Sequence, residues 1–124
     1  MNLLKETIEA LKENGKTPQD VKWCGSVSFG SFNWDTFKSI ANVKYDAGYG
    51  APEVAQDLVI VGKDFWLERH EYDGAESWHY KVTPVKPKLV KPLALTVGQA
   101  NKLGFGVSCG WQDLNEINGK KSLN

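Results

Sequence analysis

The residues best equipped for chemistry lie close together, in residues 65–82. This stretch holds both histidines of the chain, two of its five tryptophans and a dense set of acids. Two imidazoles and a carboxylate are a recognised open ligand set for a metal ion, which makes His70, His79 and Glu68 candidate ligands. No HExxH or HxH spacing and no third histidine accompanies them. We therefore expect no native metal site, no cofactor and no catalytic residue, and keep a metal-dependent hydrolase or nuclease as the alternative.

Nucleophilic and phosphate-binding chemistry have weaker support. Cys24 and Cys109 are far apart, show no CxxC spacing and accompany no GxSxG elbow, so we expect two reduced thiols. The glycines of residues 48–50 lack the spacing, lysine and hydroxyl residue of a phosphate loop.

A turn at Asp73 and Gly74 predicts that residues 65–82 form a β-hairpin, because glycine adopts positive φ without steric cost. Two registers compete. A two-residue turn pairs Tyr72 with Ala75, whereas a four-residue loop over residues 73–76 pairs Tyr72 with Ser77.

We expect the four-residue loop, because it places Glu68 opposite Lys81 and His70 opposite His79. Strand alternation then sorts the side chains into two faces. The core face carries Leu67, Trp78, Tyr80 and Val82, and the other carries Glu68, His70, His79 and Lys81, with Trp66 and Tyr72 at its ends.

Tryptophan and tyrosine beside charged residues are typical of protein-interaction hot spots. The sequence therefore predicts a partner-binding surface on the hairpin and on the glycine-containing loop of residues 45–52. Its predicted members are Trp66, Glu68, His70, Glu71, Tyr72 and Asp73 on the hairpin, and Tyr45 and Tyr49 in the loop.

Charge is distributed unevenly along a chain whose net charge is zero. Residues 46–76 contain eight acids and two cations, whereas residues 83–104 contain four lysines and no acid. Direct nucleic-acid binding is not expected, since it calls for a basic patch. The acidic stretch is either a solvated surface that the basic stretch neutralises or a face that docks on a basic partner.

The remaining pattern predicts an α+β fold, in which a small antiparallel sheet packs against two or three helices. Leu4, Ile8 and Leu11 form the stripe of a first helix, and Asn33 is the expected N-cap of a second. The apolar run of residues 58–61 is the expected central strand.

Three segments follow from this reading: an α+β core domain (1–83), an extended arm rich in proline and lysine (84–92) and a C-terminal subdomain (93–124) that packs on the core. No apolar run is long enough to span a membrane, and no signal peptide is evident. We expect a cytoplasmic monomer or homodimer.

Residues 57–62 (DLVIVG) and 65–74 (FWLERHEYDG) resemble small uncharacterised proteins from phages and prophages of Gram-positive bacteria. Residues 11–24 and 45–50 fit the same resemblance, which covers residues 1–83. It implies a phage accessory protein in a bacterial host that binds a host defence or replication component, as anti-CRISPR inhibitors do. The family has no assigned activity, so the resemblance gives no residue a role. We expect a non-enzymatic inhibitor of a host nuclease or another nucleic-acid-binding effector.

Overall fold

The computed structural model describes residues 1–48 and 50–119. The chain divides into two compact units, Met1–Pro84 and Val85–Asn124. The described residues contain a five-stranded antiparallel sheet and four α-helices, which confirms the predicted α+β class. The expected packing of residues 93–124 on the core domain stays a prediction.

The first unit contains two of the helices and the whole sheet. Its elements are α1 (Leu3–Glu13), a 3-10 helix (Pro18–Asp20), β1 (Val21–Ser26), β2 (Gly30–Phe32), α2 (Trp34–Ala41), β3 (Val59–Gly62), β4 (Phe65–Tyr72) and β5 (Ala75–Val82). Both α-helices begin at an asparagine whose side chain accepts a hydrogen bond from the first turn: Asn2 from the Lys5 N–H, and Asn33 from the Thr36 N–H. These caps satisfy backbone donors that have no partner within the helix, and the second confirms the predicted start of α2.

The strands follow the order β2-β1-β3-β4-β5, and every neighbouring pair is antiparallel. As predicted, β3 is the central strand. With β4 and β5 it forms a meander. One row of cross-strand partners runs through all five strands and consists of Phe32, Cys24, Ile60, Leu67 and Tyr80. Cys24, Ile60 and Leu67 have no exposed surface, so this row belongs to the core face of the sheet.

Both helices of the first unit pack on this core face. The buried cluster consists of Leu3 and Leu11 of α1, Phe37 and Ala41 of α2, and Cys24, Ile60, Phe65 and Leu67 of the sheet. The predicted stripe of α1 is partly wrong, since Ile8 is 37% exposed and Thr7 is fully buried. Thr7 is accommodated because its hydroxyl donates to the Leu3 carbonyl at 2.7 Å and accepts from the Trp78 indole at 2.9 Å.

The second unit contains α3 (Val97–Lys102) and α4 (Leu114–Ile117). Thr96 caps α3 in a reciprocal arrangement with Gln99. Its small core is formed by Ala94, Ala100 and Ile117. The arm, residues 84–92, is exposed throughout and adds no strand to the sheet, as its prolines and lysines predict.

Candidate functional site: the β4–β5 hairpin

The hairpin turn consists of Asp73 and Gly74, whose φ angles are 51° and 84°. Positive φ at both central residues is the hallmark of a type I′ turn, whose twist matches that of the flanking strands. Tyr72 pairs with Ala75 across this turn. The predicted four-residue loop over residues 73–76 is therefore wrong.

The observed register differs from the predicted one by two residues. Glu68 pairs with His79, not with Lys81, and His70 pairs with Ser77, not with His79. Because side chains alternate with a period of two, a shift of two residues leaves each side chain on the same face. The predicted division of the hairpin into two faces is confirmed.

The outer face of the hairpin is the side opposite the two helices of the first unit. It carries Trp66, Glu68, His70 and Tyr72 from β4 and Ala75, Ser77, His79 and Lys81 from β5. The Trp66 indole donates to a carboxylate oxygen of Glu68 at 2.7 Å. Tyr72 lies next to the turn and is 79% exposed. The outer face therefore ends in an accessible aromatic ring.

His70 and His79 stack on the outer face, with ring centroids 3.8 Å apart and an interplanar angle of 27°. Imidazole lone pairs lie in the ring plane, so those of two nearly parallel rings run side by side and do not converge on one cation. Glu68, the third candidate ligand, already accepts a hydrogen bond from the Trp66 indole. Among residues 1–48 and 50–119, no group of three or more histidines, cysteines and acids has an arrangement that holds a metal ion.

The core face of the hairpin holds a buried ionic cluster centred on Arg69. One terminal nitrogen of Arg69 donates to Glu76 at 2.9 Å and to the Tyr45 hydroxyl at 3.0 Å, and the other lies 3.5 Å from Glu6. The side chains of Arg69, Glu76 and Glu6 are only 4%, 3% and 11% exposed. The guanidinium also lies 4.6 Å from the centre of the Trp78 ring. A cation is thus enclosed by two carboxylates and two aromatic residues.

Glu76 also joins the hairpin to the segment that precedes β3. Its carboxylate accepts the backbone N–H of Glu53 at 2.7 Å and that of Val54 at 3.2 Å. Burial alone raises the pKa of Glu76, but these two donors and Arg69 outweigh burial and hold the pKa below its ordinary value. Glu76 is therefore a buried carboxylate that stays ionised at neutral pH.

Tyr45 and Arg69 are fixed in their ordinary protonation states. Burial, followed by the hydrogen bond to Glu6, raises the pKa of Tyr45 to about 12. Burial lowers the pKa of Arg69, but its bonds to Tyr45 and Glu76 more than compensate, so the pKa is raised. The Nε atom of Arg69 is buried without a hydrogen-bond partner among the described residues. Tyr45, Arg69 and Glu76 are therefore not poised to exchange a proton near neutral pH, which suits a structural task.

The loop of residues 45–52 is attached to the hairpin. The Tyr45 hydroxyl donates to Glu6 and accepts from Arg69, so this predicted contact residue is half-buried in the ionic cluster. The Ala47 carbonyl accepts the backbone N–H of Glu76 at 3.1 Å. Tyr49, the other predicted contact residue of this loop, lies outside the described residues.

The structure brings together most of the predicted hairpin residues. Trp66, Glu68, His70 and Tyr72 share the outer face, Asp73 is in the adjoining turn, and Glu71 is exposed but directed to the opposite face. The sequence analysis missed the ionic cluster of Arg69, Glu76 and Glu6. Strand alternation alone places Arg69 on the same face as Leu67, and a cation on a core face requires a buried partner.

The two units carry opposite charges. Residues 1–84 contain nine lysines and arginines against thirteen acids, whereas residues 85–124 contain six against two. The formal net charges are therefore −4 and +4. The hairpin belongs to the negative unit.

None of the helices within residues 1–48 and 50–119 has the length and apolar composition needed to cross a membrane. No family model, curated protein or solved structure matches this chain. The expected relation to phage and prophage proteins stays a prediction.

Proposed function

We propose that this chain is a non-enzymatic accessory protein of the phage type that binds and inhibits a host protein through its hairpin. The observation that carries this proposal is the exposure of Tyr72, 79% free at the tip of β4 and flanked by Glu71 and Asp73. An accessible tyrosine among charged residues contributes both apolar area and a hydroxyl, which is why tyrosine is frequent at interaction hot spots.

The ionic cluster supports the proposal because it fixes the hairpin before a partner arrives. Arg69 and Glu76 join the two strands on the core face of the hairpin, and Glu76 also accepts hydrogen bonds from the backbone of residues 53 and 54. A preorganised binding surface loses less conformational entropy on association than a mobile one does. The outer face is therefore a firm platform for a partner.

The charge of the first unit indicates the kind of partner. A unit with a net charge of −4 is attracted to basic surfaces, and the most basic surfaces of host proteins are those that bind nucleic acid. The proposed target is therefore a nuclease of host defence or another nucleic-acid-binding effector. In this proposal, the chain acts in the cytoplasm of a bacterial host and competes with nucleic acid for its target.

The proposal is tested with tagged wild-type chain and two variants, Tyr72→Ala and Phe29→Ala. Phe29 is the matched control, because it is an aromatic residue that is 85% exposed in the turn between β1 and β2, away from the hairpin. Proteins captured from a Gram-positive bacterial lysate are identified by mass spectrometry and purified. Their affinities for the three chains are then measured by calorimetry.

The expected result is a captured nucleic-acid-binding protein whose affinity falls at least about tenfold with Tyr72→Ala and stays unchanged with Phe29→Ala. Addition of the wild-type chain should also displace nucleic acid from that protein. Equal affinities of all three chains would reject the hairpin as the binding site. Binding without displacement of nucleic acid would reject inhibition by competition.

A further inference from the structure

The edge of β5 that faces away from β4 is a second candidate surface, because no further strand pairs with it among residues 1–48 and 50–119. β5 is the terminal strand of the sheet, with β4 on one side and the sheet edge on the other. Its eight residues contain no proline, and its pairing with β4 is unbroken from Ala75 to Val82. Terminal strands are usually protected by prolines, bulges or a covering element, because their backbone groups readily pair with another strand.

The hydrogen-bond pattern identifies the backbone groups that point outward. Thr83 donates its N–H to the Asp64 carbonyl at 2.8 Å, which extends the ladder beyond β5. The backbone N–H and C=O groups of odd-numbered residues in β5 therefore point toward β4. The backbone groups of even-numbered residues point away from β4, as the hydrogen bond from the Glu76 N–H to the Ala47 carbonyl demonstrates. Beyond Glu76, the next outward groups along the edge belong to Trp78 and Tyr80.

A groove of about 490 Å³ lies beside this edge. Glu6, Glu9, Ala10 and Glu13 of α1 form one wall, and Ser77 and Trp78 of β5 form the other. Lys5 and Met1 also line the groove, at the end where α1 begins. An extended segment that paired with β5 would therefore lie along α1.

The acids of α1 are located beside the open part of the edge. Thr7 contacts Trp78, and Lys16, just after α1, lies over the ring of Phe65, the residue that pairs with Val82. The chain from Thr7 to Lys16 therefore runs in the same direction as β5 from Trp78 to Val82. Glu9 and Glu13 lie between these two points, and both are exposed.

We propose that the edge of β5 binds an extended basic peptide segment as a sixth strand, with its lysine or arginine side chains against Glu9 and Glu13. Every second side chain of an added strand faces α1, so the motif that fits has cationic residues at alternate positions. Pairing of β5 with β5 of a second copy is disfavoured, because it would bring the acids of the two α1 helices together. This surface differs from the outer face, so the inference does not depend on the proposed function.

The experiment uses the full chain and a fluorescein-labelled ten-residue peptide of alternating lysine and valine, with anisotropy measured at low salt. One control peptide has glutamate in place of lysine. Two others keep the lysine–valine sequence and have the backbone nitrogens of either the lysines or the valines methylated, which removes the donors of one edge or the other and keeps the charge. The protein variants are Glu9→Gln with Glu13→Gln and, as a control of equal charge, Asp35→Asn with Asp57→Asn at exposed sites outside the groove.

The expected result is saturable binding that weakens at least about tenfold when the edge facing β5 is methylated, since strand addition relies on backbone hydrogen bonds. The glutamate peptide should not bind. The variant of Glu9 and Glu13 should bind about fivefold more weakly than the control variant at low salt. Tyr72→Ala should bind the peptide as the wild type does, which separates this surface from the proposed function.

Three results would overturn the inference. If neither methylated register weakens binding, the peptide does not pair with a strand edge. If both protein variants lose the same affinity, the attraction comes from the overall charge and not from the groove. If sedimentation shows a dimer that the peptide dissociates, a second copy is the occupant of the edge.

Discussion

Arg69 and Glu76 form a buried ion pair that runs diagonally across the hairpin, with 2.9 Å between guanidinium nitrogen and carboxylate oxygen. Arg69 pairs across the strands with Trp78, and Glu76 pairs with Glu71. The diagonal bond therefore joins two rungs of the ladder. Loss of one partner of such a pair leaves the other as an uncompensated charge in the interior.

Arg69→Met should lower the free energy of unfolding by about 3–5 kcal/mol, because it leaves Glu76 and Glu6 buried without their cation. Arg69→Met combined with Glu76→Leu should be more stable than Arg69→Met alone, since the second change removes the stranded carboxylate. Urea denaturation of the wild type, both single variants and the double variant measures the coupling. If the losses of unfolding free energy in the two single variants simply add up in the double variant, the two side chains are not coupled and this account is wrong.

The depressed pKa of Glu76 predicts a loss of stability in acid. The unfolded chain takes up this proton near the ordinary pKa of 4.5, whereas the folded chain takes it up at lower pH. The stabilisation is therefore complete above about pH 5 and is lost as the pH falls through the folded pKa. Chemical denaturation between pH 3 and pH 7 should show a shallower acid loss for Glu76→Gln than for the wild type, whereas Glu71→Gln, an exposed neighbour, should follow the wild type.

Trp78→Ala should lower the free energy of unfolding by about 3–5 kcal/mol, as expected for truncation of a large side chain that packs on the core. The change also removes the donor to Thr7 and the ring beneath Arg69. Trp66→Ala, on the outer face, should cost much less. Guanidinium denaturation of both variants measures the difference, and equal losses would mean that Trp66 contributes to the core as much as Trp78.

Gly74→Ala should destabilise the chain more than Gly15→Ala. Both glycines have φ between 70° and 90°, so an alanine is strained at either position. At Gly74 the added carbon would also lie 2.7 Å from the Gly50 carbonyl oxygen, whereas nothing lies within 4 Å at Gly15. We expect a cost of about 1 kcal/mol at Gly15 and a larger one at Gly74, measured by thermal unfolding. Equal losses of stability would show that Gly50 moves away from the added carbon without an energetic cost.

The two thiols should differ in reactivity. Burial raises the pKa of Cys24 to about 12, and the side chain has no exposed surface, whereas Cys109 is exposed. A thiol reagent at pH 8 should therefore label one cysteine per folded chain rapidly and the second only after denaturation, because the thiolate is the reactive form. Rapid labelling of Cys109→Ser in the native state would contradict the burial of Cys24.

Much of the local structure could be predicted from the sequence. The cap at Asn33, a strand close to the predicted residues 58–61, the cap at Thr96 and the presence of a turn at Asp73, although not its length, all depend on neighbouring residues. The two faces of the hairpin were predicted for the same reason, since alternation is a property of a single strand. The two faces were predicted correctly despite the wrong register, because a shift of two residues leaves each side chain on its face.

The register and the ionic cluster were decided only by the tertiary structure. Pairing Glu68 with Lys81 is favourable on its own, but each such cross-strand pair contributes only about 0.2–1 kcal/mol. The observed register instead places Glu76 in β5 with its side chain on the core face. There it contacts Arg69, which also binds Tyr45, and the backbone of residues 53 and 54. Glu6 and Arg69 are 63 residues apart in the chain, and no local pattern brings such groups together. A buried charge requires partners from every side, and only the packing of α1, the loop and the hairpin against one another supplies them.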